Sequence, residues 1–307
     1  MANRAAESLA AIRISAPAKI NLYLHVTGRR ADGFHLLDSL VAFAGVGDTV
    51  SVRPASGLDL TIDGPLAGRI PKDEQNLVFT AARRLAKATK TARGAAIRLT
   101  KRLPVAAGLG GGSADAAAAL RALADLWGVA DDMAVLGAVA ETLGADVPVC
   151  LARRAAFVGG IGERITLAPA LPQAWLVLAN PGSALSTPKV FAARTGRFAK
   201  AARFTDAPAA AGELAAVLAR RANGLTRAAV SLAPAVGETL AALAAEPAAL
   251  LTRMSGSGAT CFALFAEAAA AEAAAARLAA AHPDWWVRAA PLLARMPGDA
   301  VDQSSSA

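Results

Sequence analysis

Apolar and polar residues alternate through the first patterned stretch of the chain. Ile12 to Ala16 reads as a strand, and Pro17 to Val26 continues it with Ile20, Leu22, Leu24 and Val26 on one face. The opposite face carries Lys19, Asn21, Tyr23 and His25. Lys and Asn are poor strand formers, so this face is a candidate constellation; the wet side of an amphipathic strand has the same pattern. Further strands are expected around Leu40 to Phe43, Thr49 to Val52, Leu58 to Ile62 and Ala95 to Thr100. Helical spacing takes over from Asn76 to Thr89, where Leu77, Ala81, Leu85 and Ala88 share a face. It returns with Leu120, Leu123 and Trp127, and helices continue to Leu143. Beyond a hairpin-type turn at Gly159 to Glu163, strands are expected at Ile165 to Leu167, Trp175 to Ala179, Thr260 to Phe265 and Trp286 to Ala290. Helices are expected from Ser186, with Thr187 as cap and Pro188 at the first position, and over Pro208 to Ala222, Ala233 to Ala245 and Glu267 to Ala281.

With 307 residues the chain has room for two domains. We expect one over 1–165, a second over 166–295, and a disordered polar tail over 296–307. The hydrophobic fraction of 55% is inflated by alanine, and no uncharged apolar run reaches membrane length, so no membrane partner is expected. The formal net charge of +8 suits anionic partners. The basic residues are scattered in pairs such as Arg83-Arg84 and Arg220-Arg221, and aromatics are only 5%, which argues against nucleic-acid binding. Cys150 and Cys261 each sit in an apolar run, as structural thiols of a reducing compartment do. Residues 1–13 lack the apolar core of a secretory signal, and a cytoplasmic location is expected.

Between the strand ending at Thr100 and the following helix lies Leu103-Pro104-Val105-Ala106-Ala107-Gly108-Leu109-Gly110-Gly111-Gly112-Ser113-Ala114-Asp115. Glycines let the backbone approach a ligand, and the helix N-terminus beyond, with Ser113 placed as its cap, favours an anion. This stretch reads as a phosphate cradle. It is not a P-loop, because no Lys follows the last glycine, and Ser113 stands where a dinucleotide fingerprint needs Gly or Ala. A glycine-rich surface turn is the plain alternative. Two further compact motifs follow. Gly144-Ala145-Asp146-Val147-Pro148 places an aspartate between a helix end and a proline, where a capping role is the simplest reading. Met254-Ser255-Gly256-Ser257-Gly258-Ala259 is another glycine loop ahead of a strand.

Taken in order, Pro17-Ala18-Lys19-Ile20-Asn21, the Pro104 to Ala114 loop and Ser255-Gly256-Ser257-Gly258 resemble the three motifs of the GHMP kinase superfamily. Arg30-Ala31-Asp32-Gly33-Phe34-His35 and Leu143-Gly144-Ala145-Asp146-Val147-Pro148 are similar to the branch that phosphorylates the 2-hydroxyl of 4-diphosphocytidyl-2-C-methyl-D-erythritol, in non-mevalonate isoprenoid precursor synthesis. The resemblance spans roughly residues 12 to 290. It implies an α+β fold of two-layer α/β type, with the active site between two domains. It implies ATP as co-substrate with Mg2+, and the loop Pro104, Val105, Ala106, Ala107, Gly108, Leu109, Gly110, Gly111, Gly112, Ser113, Ala114 around the ATP phosphates. Lys19 and Asp146 would be the catalytic pair. His25 and Phe191 would clamp the cytosine, although position 25 departs from the commoner Tyr. His35 would read the cytosine edge, Asn21 would lie near the erythritol, and Ser257 and Gly258 near phosphate or erythritol. No metal ligand is assigned, although Ser113 is a candidate for a metal or phosphate contact. Asn223 is followed by Gly224, which departs from the family pattern and leaves it without a role. Homoserine- or mevalonate-type kinases of the same superfamily are the alternative.

Overall fold

The computed structural model describes residues 11–295 except 69, 72, 74 and 131. The expectation for 296–307 therefore falls outside the described residues. Two long strands form the spine, β1 (Ile12–Arg29) and β2 (His35–Ala55), paired antiparallel along their lengths. Next come β3 (Leu58–Asp63), α1 (Leu77–Ala88) and β4 (Gly94–Thr100). β3 and β4 pair in parallel, which requires the crossover that α1 supplies. The cradle leads into α2 (Gly111–Trp127), α3 (Met133–Leu143) and α4 (Val147–Ala152), then the hairpin β5 (Ala156–Gly160) and β6 (Arg164–Leu167).

The remaining elements are β7 (Trp175–Asn180), α5 (Thr187–Ala192), α6 (Ala211–Ala219), α7 (Thr226–Leu232), α8 (Ala235–Ala244), β8 (Leu251–Met254), β9 (Cys261–Phe265), α9 (Ala268–Ala281) and β10 (Trp286–Leu293). The sheet runs β3-β4-β2-β10-β7-β9-β8, with β1 and β5 also paired to β2. β10 carries the junction: it pairs with β7 over Trp286 to Pro291 and meets β2 at Leu292 and Leu293.

Residues expected as separate short strands at 40–43 and 49–52 belong to one strand, because β2 finds partners along its whole length. β4 takes its C-terminal end and β5 its N-terminal end. The helix expected over Pro208 to Ala222 is shorter, and β8 and α7 were not anticipated, because four and seven residues give too little periodicity. On the N-terminal side, α1 to α4 cover one face of the sheet around Leu85, Ile97, Leu99, Leu120, Leu123 and Trp127. Each such side chain contributes about 1.5–3 kcal/mol on full burial. A second core under the cradle joins Ile20, Leu22 and Leu109 to Leu176, Leu178 and Phe262.

β1 explains how the site is built. Its first residues alternate as a half-covered strand does, with Arg13 and Ser15 exposed, but every residue from Ala16 to Leu24 is buried. Register shifts at Pro17/Lys19 and Asn21/Tyr23 break strict alternation. The side carrying Lys19, Asn21 and Tyr23 is therefore no solvent face: the cradle and the C-terminal elements lie against it.

Candidate active site

A cavity of about 570 Å3 opens where β1, the cradle, the N-terminus of α4, α5 and the loop after β8 meet. Lys19, Asn21, Asp146, Phe191 and Ser257 line it, together with cradle residues 104–108 and 110–113. His25, His35, Gly258, Leu109 and Ala114 are not among its lining residues.

Lys19 lies on β1 and Asp146 at the residue before α4, 127 positions apart in sequence. Lys19 Nζ donates to Asp146 Oδ2 at 2.8 Å. Asp146 occupies the N-cap position but makes no side-chain cap bond, so the simple capping role is not the one it fills. The lysine side chain is 6% exposed and the aspartate 41%, which leaves a carboxylate oxygen facing the cavity beside a nearly buried ammonium.

The cradle gets its shape from backbone conformations that favour glycine. Ala106, Gly108 and Gly110 all have positive φ, at 53°, 74° and 59°. A Cβ on Gly108 would collide with the Ser255 carbonyl oxygen and come within 2.8 Å of the Gly258 carbonyl oxygen. Gly110, not Ser113, precedes α2 as its N-cap residue, because the chain enters the helix from a left-handed turn. Ser113 instead lies in the first turn, on the cavity wall. Leu109 turns into the core, and its carbonyl receives the Lys19 N–H at 2.8 Å.

The loop after β8 braces this arrangement. Ser255 Oγ accepts from Asn21 N at 3.1 Å and donates to the Gly108 carbonyl at 2.9 Å. Asn223 Nδ2 donates to the carbonyls of Met254 and Gly256, both at 2.8 Å, so Asn223 supports the loop from beneath. Arg253, buried, donates to the carbonyls of Leu22, Leu218 and Arg221 and has no carboxylate partner among the described residues. Burial, with Arg221 nearby, pushes its guanidinium down to about 10. None of these braces was assigned from sequence.

The sequence-nominated aromatic residues divide. His35 and Phe191 stack, with ring centroids 5.1 Å apart and planes at 27°. Burial lowers the His35 pKa, and Arg29 and Arg194 lower it further, which favours the neutral ring. Phe34, next to His35, is 59% exposed. Both ring nitrogens of His25 meet backbone: Nδ1 lies 2.9 Å from the Lys200 carbonyl, and Nε2 accepts from Ala222 N at 3.2 Å. These partners require the Nδ1–H tautomer and leave no nitrogen free. On the acceptor side, Asn21 Nδ2 donates to Ser39 Oγ at 2.8 Å, while the buried Asn21 Oδ1 has no partner. Thr187, expected as a cap, starts α5 with its hydroxyl 2.7 Å from Ser257 Oγ, and Ser186 takes the cap position.

At the inner end, Lys101 Nζ bonds Asp48 and, at 2.7 Å, Asp115. Burial pushes the Asp115 carboxyl up to about 8; Lys101 opposes the shift and Asp48 adds to it. The native state thus keeps a proton that the unfolded chain loses near pH 4. Stability is expected to fall as pH rises from about 4 to 8. In urea unfolding across that range, Asp115→Asn should show a flatter profile; an unchanged slope would assign the loss to other groups.

Two family models match the chain: the GHMP kinases N terminal domain over residues 76–154 and the GHMP kinases C terminal over 205–284. The chain is 58% identical over 280 residues to the 4-diphosphocytidyl-2-C-methyl-D-erythritol kinase of Paramagnetospirillum magneticum, covering 91% of this chain and 98% of that one. It is 51% identical to the Rhodospirillum rubrum protein of that name, covering 92% and 94%. A crystal structure of 4-(cytidine 5'-diphospho)-2C-methyl-D-erythritol kinase superimposes with TM-score 0.76 at 35% identity, covering 92% of this chain and 99% of that one. Homoserine kinase from Cytophaga hutchinsonii shares the fold, with TM-score 0.71 at 20% identity over 94% and 97% of the two chains. An α+β fold with a cavity between glycine loops agrees with these matches, and the chain belongs to the GHMP kinase superfamily, in the family of 4-diphosphocytidyl-2-C-methyl-D-erythritol kinases.

Proposed function

We propose that this phosphotransferase moves the γ-phosphoryl group of ATP to the 2-hydroxyl of 4-diphosphocytidyl-2-C-methyl-D-erythritol, in non-mevalonate isoprenoid precursor synthesis. The observation that carries the reading is the 2.8 Å Lys19–Asp146 pair on the wall of the cavity that the cradle also lines. Asp146 takes the proton of the attacking hydroxyl as its oxygen bonds to phosphorus. The bond from phosphorus to the β-phosphate bridging oxygen breaks, and ADP leaves with the electron pair. Lys19 orients the carboxylate through their 2.8 Å hydrogen bond and stabilises negative charge on the transferred group.

The cradle backbone, residues 104–114, would hold the donor phosphates. Asn21 and Ser257, both on the cavity wall, would lie near the erythritol, with Gly258 next to Ser257 in the same loop. Among the described residues no cluster of three His, Cys, Asp or Glu could ligate a metal. Mg2+ fits as a companion of the nucleotide, bound chiefly by its phosphates, with Ser113 offering an oxygen. Bound there, the ion would offset phosphate charge.

The stacked His35–Phe191 pair supplies an aromatic platform for a cytosine, a group that homoserine and mevalonate lack. We assign His25 to holding the backbone at Lys200 and Ala222, in place of a direct clamp on the cytosine. We further take 1–165 and 166–295 as the two halves that enclose the site. No described helix is long and apolar enough to cross a membrane, and we propose a cytoplasmic enzyme. In an assay for ADP release, turnover is expected with the cytidine-diphosphate alcohol and not with homoserine or mevalonate. Turnover on either of the latter alone would overturn the substrate assignment.

A further inference from the structure

The phosphate cradle is fastened from below by a buried cluster that the reaction scheme does not use. Asp48 lies on β2, 1% exposed; Lys101 stands just past β4, 4% exposed; Asp115 is in the first turns of α2, 3% exposed. Asp48 Oδ1 accepts from the backbone N–H groups of Arg102 and Leu103, at 2.5 and 2.9 Å, the two residues that lead into Pro104. Its Oδ2 accepts from Lys101 Nζ, which also donates to Asp115 Oδ2 at 2.7 Å. One carboxylate on β2 therefore grips the chain on the near side of the cradle directly, and on the far side through Lys101. A Cβ placed on Gly111, the first residue of α2, would lie 3.6 Å from Lys101 Nζ and 3.8 Å from Asp48 Oδ2. The clasp thus sits against the cradle backbone itself.

We propose that Asp48 is a positioning residue for phosphoryl transfer: it fixes both ends of the cradle so that the loop is open to the donor phosphates before they arrive. Charge-assisted bonds in a dry setting hold geometry more tightly than exposed ones. A loop with three positive-φ residues in five has little of its own to hold that shape. The inference rests on reading 104–114 as the donor site. Asp48 touches no substrate, since it lies behind the cradle and is not among the cavity-lining residues.

Asp48→Ala removes all three bonds. Asp48→Asn keeps an oxygen for Arg102 N and Leu103 N but gives up the charge that holds Lys101, and it leaves Lys101 paired one to one with Asp115. The measurements are calorimetric Kd values for a non-hydrolysable ATP analogue and for the cytidine-diphosphate alcohol, with Tm. Expected is an ATP-analogue Kd raised about tenfold or more in Asp48→Ala and less in Asp48→Asn, with alcohol Kd within about twofold of wild type. A merely structural role would lower Tm and leave both affinities of the folded fraction alone, and that result overturns the proposal. If Asp48→Ala does not fold, the same split is read in Asp48→Asn, and wild-type ATP-analogue affinity there overturns it equally. Undiminished analogue binding in Gly108→Ala would instead refute the donor-site reading.

Discussion

Asp146→Asn is expected to lower kcat by about a thousandfold while leaving ATP affinity within about twofold, from the usual worth of a positioned general base. The amide has nearly the same shape but cannot take the hydroxyl proton at neutral pH. Its side chain makes no cap bond, so α4 loses no backbone partner by the exchange. Lys19, almost fully buried, is left without its carboxylate partner, which costs some stability. That cost is limited because the aspartate side is 41% exposed and screened by water. The distinguishing signature is therefore a collapse of kcat with modest change in Tm. Near-normal turnover would remove Asp146 as the base and return it to an electrostatic partner of Lys19.

Gly108→Ala should abolish ATP-dependent turnover for a different reason, a steric one. The residue has φ of 74°, and its added methyl would meet the carbonyl oxygen of Ser255 and the backbone of Gly258. Both obstacles are backbone and neither can swing aside. The cradle must move off the loop after β8, which breaks the Ser255 Oγ to Gly108 carbonyl bond. ATP affinity is expected to fall at least about tenfold, with a lower Tm. Gly137→Ala is the control: it lies in α3, with nothing within 4 Å of the new methyl. It should leave kinetics unchanged and raise stability by about 1 kcal/mol. Equal behaviour of the two variants would mean that the cradle has slack the packing does not show.

The sequence pattern carried much of this fold because its elements announce themselves locally. On α1 the expected inward face holds at Ala81 and Leu85, while Val78 and Ala82 are buried in place of Leu77 and Ala88, and β4 alternates Ala95, Ile97 and Leu99 inward. What it could not carry is contact between distant segments. Nothing local distinguishes Asp146 from an ordinary capping aspartate; only the approach of β1 brings Lys19 to it. The same holds for Asp48, which is an unremarkable turn-like residue in sequence until Arg102 and Leu103 fold down onto it. Asn223 had no legible role because its partners, the Met254 and Gly256 carbonyls, are backbone atoms some thirty residues away. His25 shows the opposite limit: an alternating pattern places it on the side of Lys19 and Asn21, but the shifts in register along β1 leave its nitrogens with backbone partners beyond the cavity.

The most direct test of the whole account is the position of the transferred phosphate. Wild-type protein, ATP with Mg2+ and 4-diphosphocytidyl-2-C-methyl-D-erythritol are followed by phosphorus NMR. The expected product is ADP in step with one new phosphomonoester, whose phosphorus couples to the methyl-bearing carbon at position 2. A phosphate on any other hydroxyl, or ADP formed with inorganic phosphate alone, would contradict it.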